Sequence, residues 1–245
     1  MAGNPAFLVR KWHRWLSLII GIQALLWLVS GLYMVVVDLD YIHGDHLVRN
    51  MAVPLSADDA PLLPIAEVRA RYPEATQIKL EPWLGNPHYR ISSALGNHLI
   101  DARTGAPRSP LSEADAIAVA RYHYAGQGDI ISARLLSVEQ ERPSEIQARP
   151  LPLWQIRFDD FGATTFYVAP DQGQLVTRRH RFWRIFDFLW MFHIMDYEER
   201  ADVNNNLLRV AATLGTLMAA FGLGLVFFSF RNGRTRPSGS AGRPS

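Results

Sequence analysis

The 245-residue sequence predicts an α+β extracytoplasmic domain carried on two transmembrane α-helices. Three observations predict it. Residues 15–37 and 210–230 contain no charged side chain, and each run meets the length of about 20 apolar residues that a hydrocarbon core demands. The basic residues gather outside these runs: Arg10, Lys11 and Arg14 before the first, Arg231, Arg234, Arg236 and Arg243 after the second, with no acid in either tail. The stretch between the runs carries a net charge of about −5 and reads twice as a helix followed by antiparallel strands.

Residues 1–14 read as a cytoplasmic basic tail and 15–37 as the first transmembrane helix, an uncleaved signal anchor, because the run exceeds the apolar region of a signal peptide and no small-residue cleavage site follows it. Residues 38–60 form a linker. The first repeat, 61–110, opens with a helix over Pro64–Tyr72 that Pro73 stops. The second, 111–180, opens with a helix over Ser112–Tyr124, where Ser112 and Asp115 stand at capping distance. Strands follow in each, with turns expected at Gly96-Asn97 and Asp160-Phe161-Gly162 and glycine-closed turns at Gly105 and Gly173. Ala70-Arg71-Tyr72 recurs at Ala120-Arg121-Tyr122, Tyr89-Arg90-Ile91 loosely at Trp154-Gln155-Ile156, and Leu99–Gly105 as Tyr167–Gly173. The order and growing offset of these matches point to an internal duplication.

Residues 181–206 read as an amphipathic aromatic surface helix and a polar turn. The stretch Phe182–Met195 is too short to cross, at about 21 Å, and it holds Arg184 and Asp187. The polar turn, from Asp196 to Asn206, offers asparagines for a helix N-cap, and Arg209 can snorkel outward. Residues 207–230 form the second transmembrane helix, and 231–245 a basic tail expected to be disordered. Basic tails beside spans stay cytoplasmic. The expected placement is therefore a bacterial inner membrane, both termini cytoplasmic and residues 38–206 periplasmic. The pI near 9.0 reflects this orientation and not nucleic acid.

The motifs resemble those of the PepSY-associated transmembrane family. Leu99-Ile100-Asp101-Ala102-Arg103-Thr104-Gly105 is similar to the V-D-x-x-T-G signature closing a PepSY unit, and the second copy has Ala169 where the aspartate would stand. Lys11-Trp12-His13-Arg14-Trp15-Leu16 resembles the family's H-R-W-L-G start with Ser17 for its glycine, Ser30-Gly31 its T-G, and Phe192-His193 its L-H. The resemblance implies iron–siderophore uptake and reduction, with b-type haem in some larger relatives, and inhibitory roles for PepSY units in protease propeptides.

His193 and His13 are the candidate haem ligands. One haem cannot take both, because the first span separates them; it would need His193 with His43 or His46, a dimer, or a partner subunit. His43-Gly44-Asp45-His46 offers His43 and His46 as a short metal site, weighed against a solvated loop. His88, His98 and His123 read as structural, and Asp58-Asp59 as solvated. Ser17, Gly21 and Ala24 share one face of the first span and Gly215, Ala219 and Gly222 one face of the second, so these faces are expected to meet within the chain or across a homodimer. With no cysteine, the chain offers no thiolate zinc site, iron–sulfur cluster or c-type haem attachment. It also shows no nucleotide-cofactor fingerprint or hydrolase motif. The expected function is a noncatalytic binding or regulatory subunit of an envelope redox or iron-uptake system, in contact with lipid and a protein partner. The alternatives are a haem b-bearing membrane electron-transfer protein of the siderophore- or ferric-reductase type and a periplasmic protease regulator.

Overall fold

A computed structural model describes residues 5–49, 61–139 and 142–233. Asp58-Asp59 and the basic tail from residue 234 lie outside the described residues. The chain divides into two units, a helical one (1–36 and 188–245) and a lobe (37–187).

In the helical unit, α1 (Pro5–Val36) and α6 (Asn206–Gly233) are the two long apolar helices, and both are long enough to cross a membrane. The first helix starts ten residues before the uncharged run, with Pro5, suited to a first helical turn, at its head and no breaker before Trp15. Arg10, Lys11 and Arg14 thus ride on helix. A β-carbon at Gly224 would touch Val9, one at Gly222 His13, and one at Gly215 Trp27. Positions rising along α1 meet positions falling along α6, so the two helices are antiparallel. Their outer faces stay apolar and exposed, with Leu18, Ile22 and Val35 on α1 and Leu223 and Phe227 on α6. Side chains of this kind are left unburied where the solvent is lipid.

The lobe is α+β. A short helix, α2 (Leu39–His43), and a 3-10 turn at Asp45–Leu47 lead into it. Helix α3 (Ile65–Arg71) precedes a three-stranded antiparallel sheet of β1 (Ala75–Trp83), β2 (Asn86–Ser93) and β3 (Gly96–Asp101). Helix α4 (Glu113–His123) precedes a four-stranded antiparallel sheet of β4 (Ile130–Leu136), β5 (Leu153–Phe158), β6 (Thr165–Ala169) and β7 (Gln174–Arg179). The α4 start carries a full capping box between Ser112 and Asp115. The β2–β3 turn falls at Ala94-Leu95, two residues before the expected Gly96-Asn97, because the Ser93 hydroxyl accepts from Leu95 N–H and donates to Gly96 C=O.

Val68 of α3 packs on Tyr89, Ile91 and Ile100 of the first sheet, and Ala116 and Ala120 of α4 on Ile156, Phe158 and Phe166 of the second. A third cluster joins the sheets through Trp83, Leu99, Leu111, Val119 and Val168. Full burial of each large residue contributes about 1.5–3 kcal/mol, so this shared core favours the association of the two halves. The closing turns match in geometry. Gly105 N–H bonds Asp101 C=O, Gly173 N–H bonds Ala169 C=O, and both glycines have positive φ, 71° and 63°. In the first, the Asp101 carboxylate holds the turn by accepting from Arg103 N–H, Thr104 N–H and the Thr104 hydroxyl. Those bonds, outweighing partial burial, hold Asp101 below its ordinary pKa. The second turn lacks that carboxylate and is held from the first sheet instead: Trp83 Nε1 donates to Gly173 C=O, Arg90 Nε to Gln172 C=O and Asn97 to Asp171.

The predicted aromatic helix is α5 (Arg181–Ile194), and a turn built on Asp196 joins it to α6. The Asp196 carboxylate accepts backbone N–H groups of Glu198, Glu199, Ala201 and Asp202. Bonds from Asp202 and Ala201 lead in bringing its pKa down to about 2. The predicted asparagine cap is Asn205, whose Oδ1 accepts Leu208 N–H at 2.8 Å at the head of α6.

Candidate functional site

The last turn of α5 must satisfy carbonyls that its own helix leaves unpaired. Within the helical unit, Gln23 donates to Phe192 C=O (2.9 Å), Trp27 Nε1 to His193 C=O (2.8 Å) and Asn205 to Ile194 C=O (2.9 Å). These three donors seat His193 against α1, where its Nδ1 lies 2.8 Å from the Oγ of fully buried Ser30. The hydroxyl proton of Ser30 is committed, because Oγ stands 2.6 Å from Leu26 C=O, which only accepts. Nδ1 of His193 therefore donates to Ser30. In the neutral ring, Nε2 then carries the lone pair, and no described residue hydrogen-bonds it. Trp190 lies parallel to the ring at 6.1 Å. Ser30 is six residues short of the end of α1, so His193 is level with the helix and not beyond its end.

His13 lies at the other end of α1. Its Nδ1 donates to Met218 C=O at 3.0 Å, a carbonyl uncovered because Gly222, one turn on, has no side chain. Seventeen residues separate His13 from Ser30, about 26 Å of helix. Nε2 is the ring nitrogen of His193 left without a hydrogen-bond partner among the described residues. At that distance His13 cannot share one haem with it within one chain.

Two of the small residues of the second span face the first. Gly215 and Gly222 receive Trp27 and His13 of α1, because bulky side chains fill the space that glycine leaves. A β-carbon at Gly21 meets nothing within 4 Å, Ala219 is exposed, and Ser17 and Ala24 are half-buried.

In the lobe, His43 and His46 diverge. Gly44, with φ 76°, ends α2 and redirects the chain into the 3-10 turn. His43 contributes its backbone carbonyl to Arg178 Nε, while the His46 ring stacks on Tyr41 at 4.2 Å. Among the described residues no group of three His, Cys, Asp or Glu side chains is placed to hold a metal ion. The ring beside His46 is one that sequence reading passed over: His180, buried, edge-on at 5.5 Å, its Nε2 donating to Ile42 C=O. Burial lowers the pKa of both, and for His180 the bonds to Ile42 and Tyr41 carbonyls oppose it. No local pattern announces this pair, since 134 residues separate its members.

Where the two sheets meet, an open cleft of about 340 Å³ is walled by Trp83, Tyr122, His123, Arg90 and Gly173. Arg90 is ion-paired to Glu81. His123 is half-buried, and desolvation lowers its pKa. Aromatic faces beside cationic and imidazole N–H groups suit a planar or anionic ligand. His88 lies against Trp83 with a buried Nε2 that finds no partner among the described residues, and His98 rests on Tyr72. No family model, no curated protein and no solved structure matches this chain.

Proposed function

We propose that this chain is a two-span inner-membrane protein of the PepSY-associated type. In this reading it is a noncatalytic binding or regulatory subunit of an envelope redox or iron-uptake system, with the lobe in the periplasm. The observation that carries it is the cleft between the sheets, where Trp83, Tyr122, Arg90 and His123 line one opening, on a chain whose two long helices keep apolar exposed faces. The open surface at Gly21 and Ala219 supports a further helix, from a partner or a second copy, as lipid-facing neighbour. Deleting the gene should slow growth under iron limitation. The wild-type chain should restore it and a Tyr122→Ala/His123→Ala chain, accumulating to the same level, should not. Unimpaired growth of the deletion strain rejects the iron-uptake reading.

The second reading, a haem b-bearing electron carrier, is favoured by the available Nε2 of His193. Haem bound there would supply one-electron chemistry. The chain's own part is to hold the ring through Ser30 and the backbone of the same residue through Trp27. Detergent-purified protein from haem-sufficient cells should then show a Soret band that His193→Ala abolishes. Colourless, folded protein sinks this reading and leaves the first standing.

A further inference from the structure

A second opening in the lobe, about 240 Å³, is lined by Arg149, Arg178, Arg179, Thr177, His43 and Trp183, with Asp45 as its carboxylate. Three guanidinium groups face one carboxylate, and Asp45 is already ion-paired with Arg178. Glu145, beside them, is engaged: it receives Arg184 Nε at 2.6 Å and the Tyr167 hydroxyl at 2.6 Å. Arg179 has only neutral acceptors, Glu145 C=O, Arg178 C=O and Thr177 Oγ1, and its plane lies over Trp183 at 3.9 Å. The Arg149 side chain is exposed and has no partner among the described residues. Burial, with Arg149's positive charge adding to it against the attraction of Glu145, brings Arg179 down to about 10. Two like charges thus stand together, and although Glu145 and Asp187 attract Arg179 from nearby, its hydrogen bonds go to neutral acceptors, so a bound anion would relieve the repulsion between the two guanidinium groups. Thr177 adds a donor: its Oγ1 accepts from Arg179, so its own hydroxyl proton is uncommitted.

We propose that Arg149, Arg179 and Thr177, with Arg178 and His43 at the rim, form a binding site for a phosphate-bearing anion, either a phospholipid headgroup or a soluble phosphate. Guanidinium forks match tetrahedral oxyanions, and a hydroxyl completes the donor set. The residues Thr177–Trp183 run directly into the helix that leads toward the second span.

The test uses the full chain in maltoside micelles, titrated in turn with inorganic phosphate and with short-chain phosphatidylglycerol by calorimetry. Arg149→Glu is the first variant, since an exposed residue can change without unfolding the lobe. Thr177→Val is the second. Each should weaken binding, Arg149→Glu by about tenfold or more, the loss expected for a charge-assisted hydrogen bond. Phosphate binding that Arg149→Glu weakens identifies a soluble ligand. Phosphatidylglycerol binding alone, weakened the same way, identifies a headgroup. No binding of either probe, or binding that both variants leave unchanged, overturns the proposal.

Discussion

Glycine 173 is where one residue's backbone decides the most. Its φ of 63° is in the left-handed region, and a β-carbon there would stand 2.5 Å from Trp83 Nε1 and 2.9 Å from Leu99. Both neighbours belong to the cluster that joins the sheets, so neither can retreat without opening that core. Gly173→Ala should destabilise the lobe by about 2–4 kcal/mol, combining left-handed strain with overpacking. Gly21 is the counter-case: a β-carbon meets nothing within 4 Å inside a regular helix. Gly21→Ala should be neutral or stabilising by up to about 1 kcal/mol. Thermal unfolding of the two variants in the same detergent distinguishes them, and equal midpoints would contradict the close approach at Gly173. The sequence marked both glycines, one as a turn and one as a packing face. It could not separate them, because what distinguishes them is Trp83, ninety residues from Gly173.

At the scale of elements, α2 and the 3-10 turn are held to the second sheet by contacts of unequal weight. Arg178–Asp45 is 29% and 51% exposed, and a pair so open contributes under about 1 kcal/mol. Ile42 is fully buried and Leu47 nearly so, and Ala125 N–H bonds Leu47 C=O while Arg49 N–H bonds His123 C=O. These dominate at neutral pH. Acid acts through His180 and His46. Burial depresses both pKa values below 6.5, with His46 and Arg184 adding to the effect at His180 and Asp160 attracting both rings. The folded state therefore favours the neutral rings. The stability they contribute is present above about pH 6.5 and is lost as pH falls through the lower folded values. Amides of residues 42–48 should exchange faster at pH 5 than at pH 7.5, after correction for intrinsic rates. His180→Gln, which can still donate to Ile42 without titrating, should flatten the difference; an unchanged difference would acquit His180. Elements with local signals were legible in sequence: the α4 capping box, the Asn205 cap, the aromatic α5 and the glycine-closed turns. The donors from Gln23 and Trp27 that seat His193, the arginine cluster and the His180–His46 pair were not, because their members are distant in the chain and meet only through the tertiary fold.

For the whole molecule, charge and packing bear on the proposed topology by separate routes. The basic residues of both ends favour the same side of a membrane. Independently, the antiparallel meeting of Val9 with Gly224, His13 with Gly222 and Trp27 with Gly215 brings both helix ends to one side if each helix crosses. Antiparallel packing alone does not say which side, and the charge rule alone does not say that the two helices touch. Together they support the proposed topology, with Arg10 and Arg231 on one side of the membrane and the lobe on the other. The chain has no cysteine, so single introduced thiols report position without background. Leu95, 85% exposed in the β2–β3 turn, and Ser238 in the basic tail suit this. In spheroplasts, a membrane-impermeant maleimide should label Leu95→Cys directly and Ser238→Cys only after permeabilisation. Ser238→Cys labelled from outside, with Leu95→Cys protected, would invert the protein. Both labelled from outside would mean an even number of crossings, or none, between the two positions, and the antiparallel pair could not then be the membrane-spanning unit.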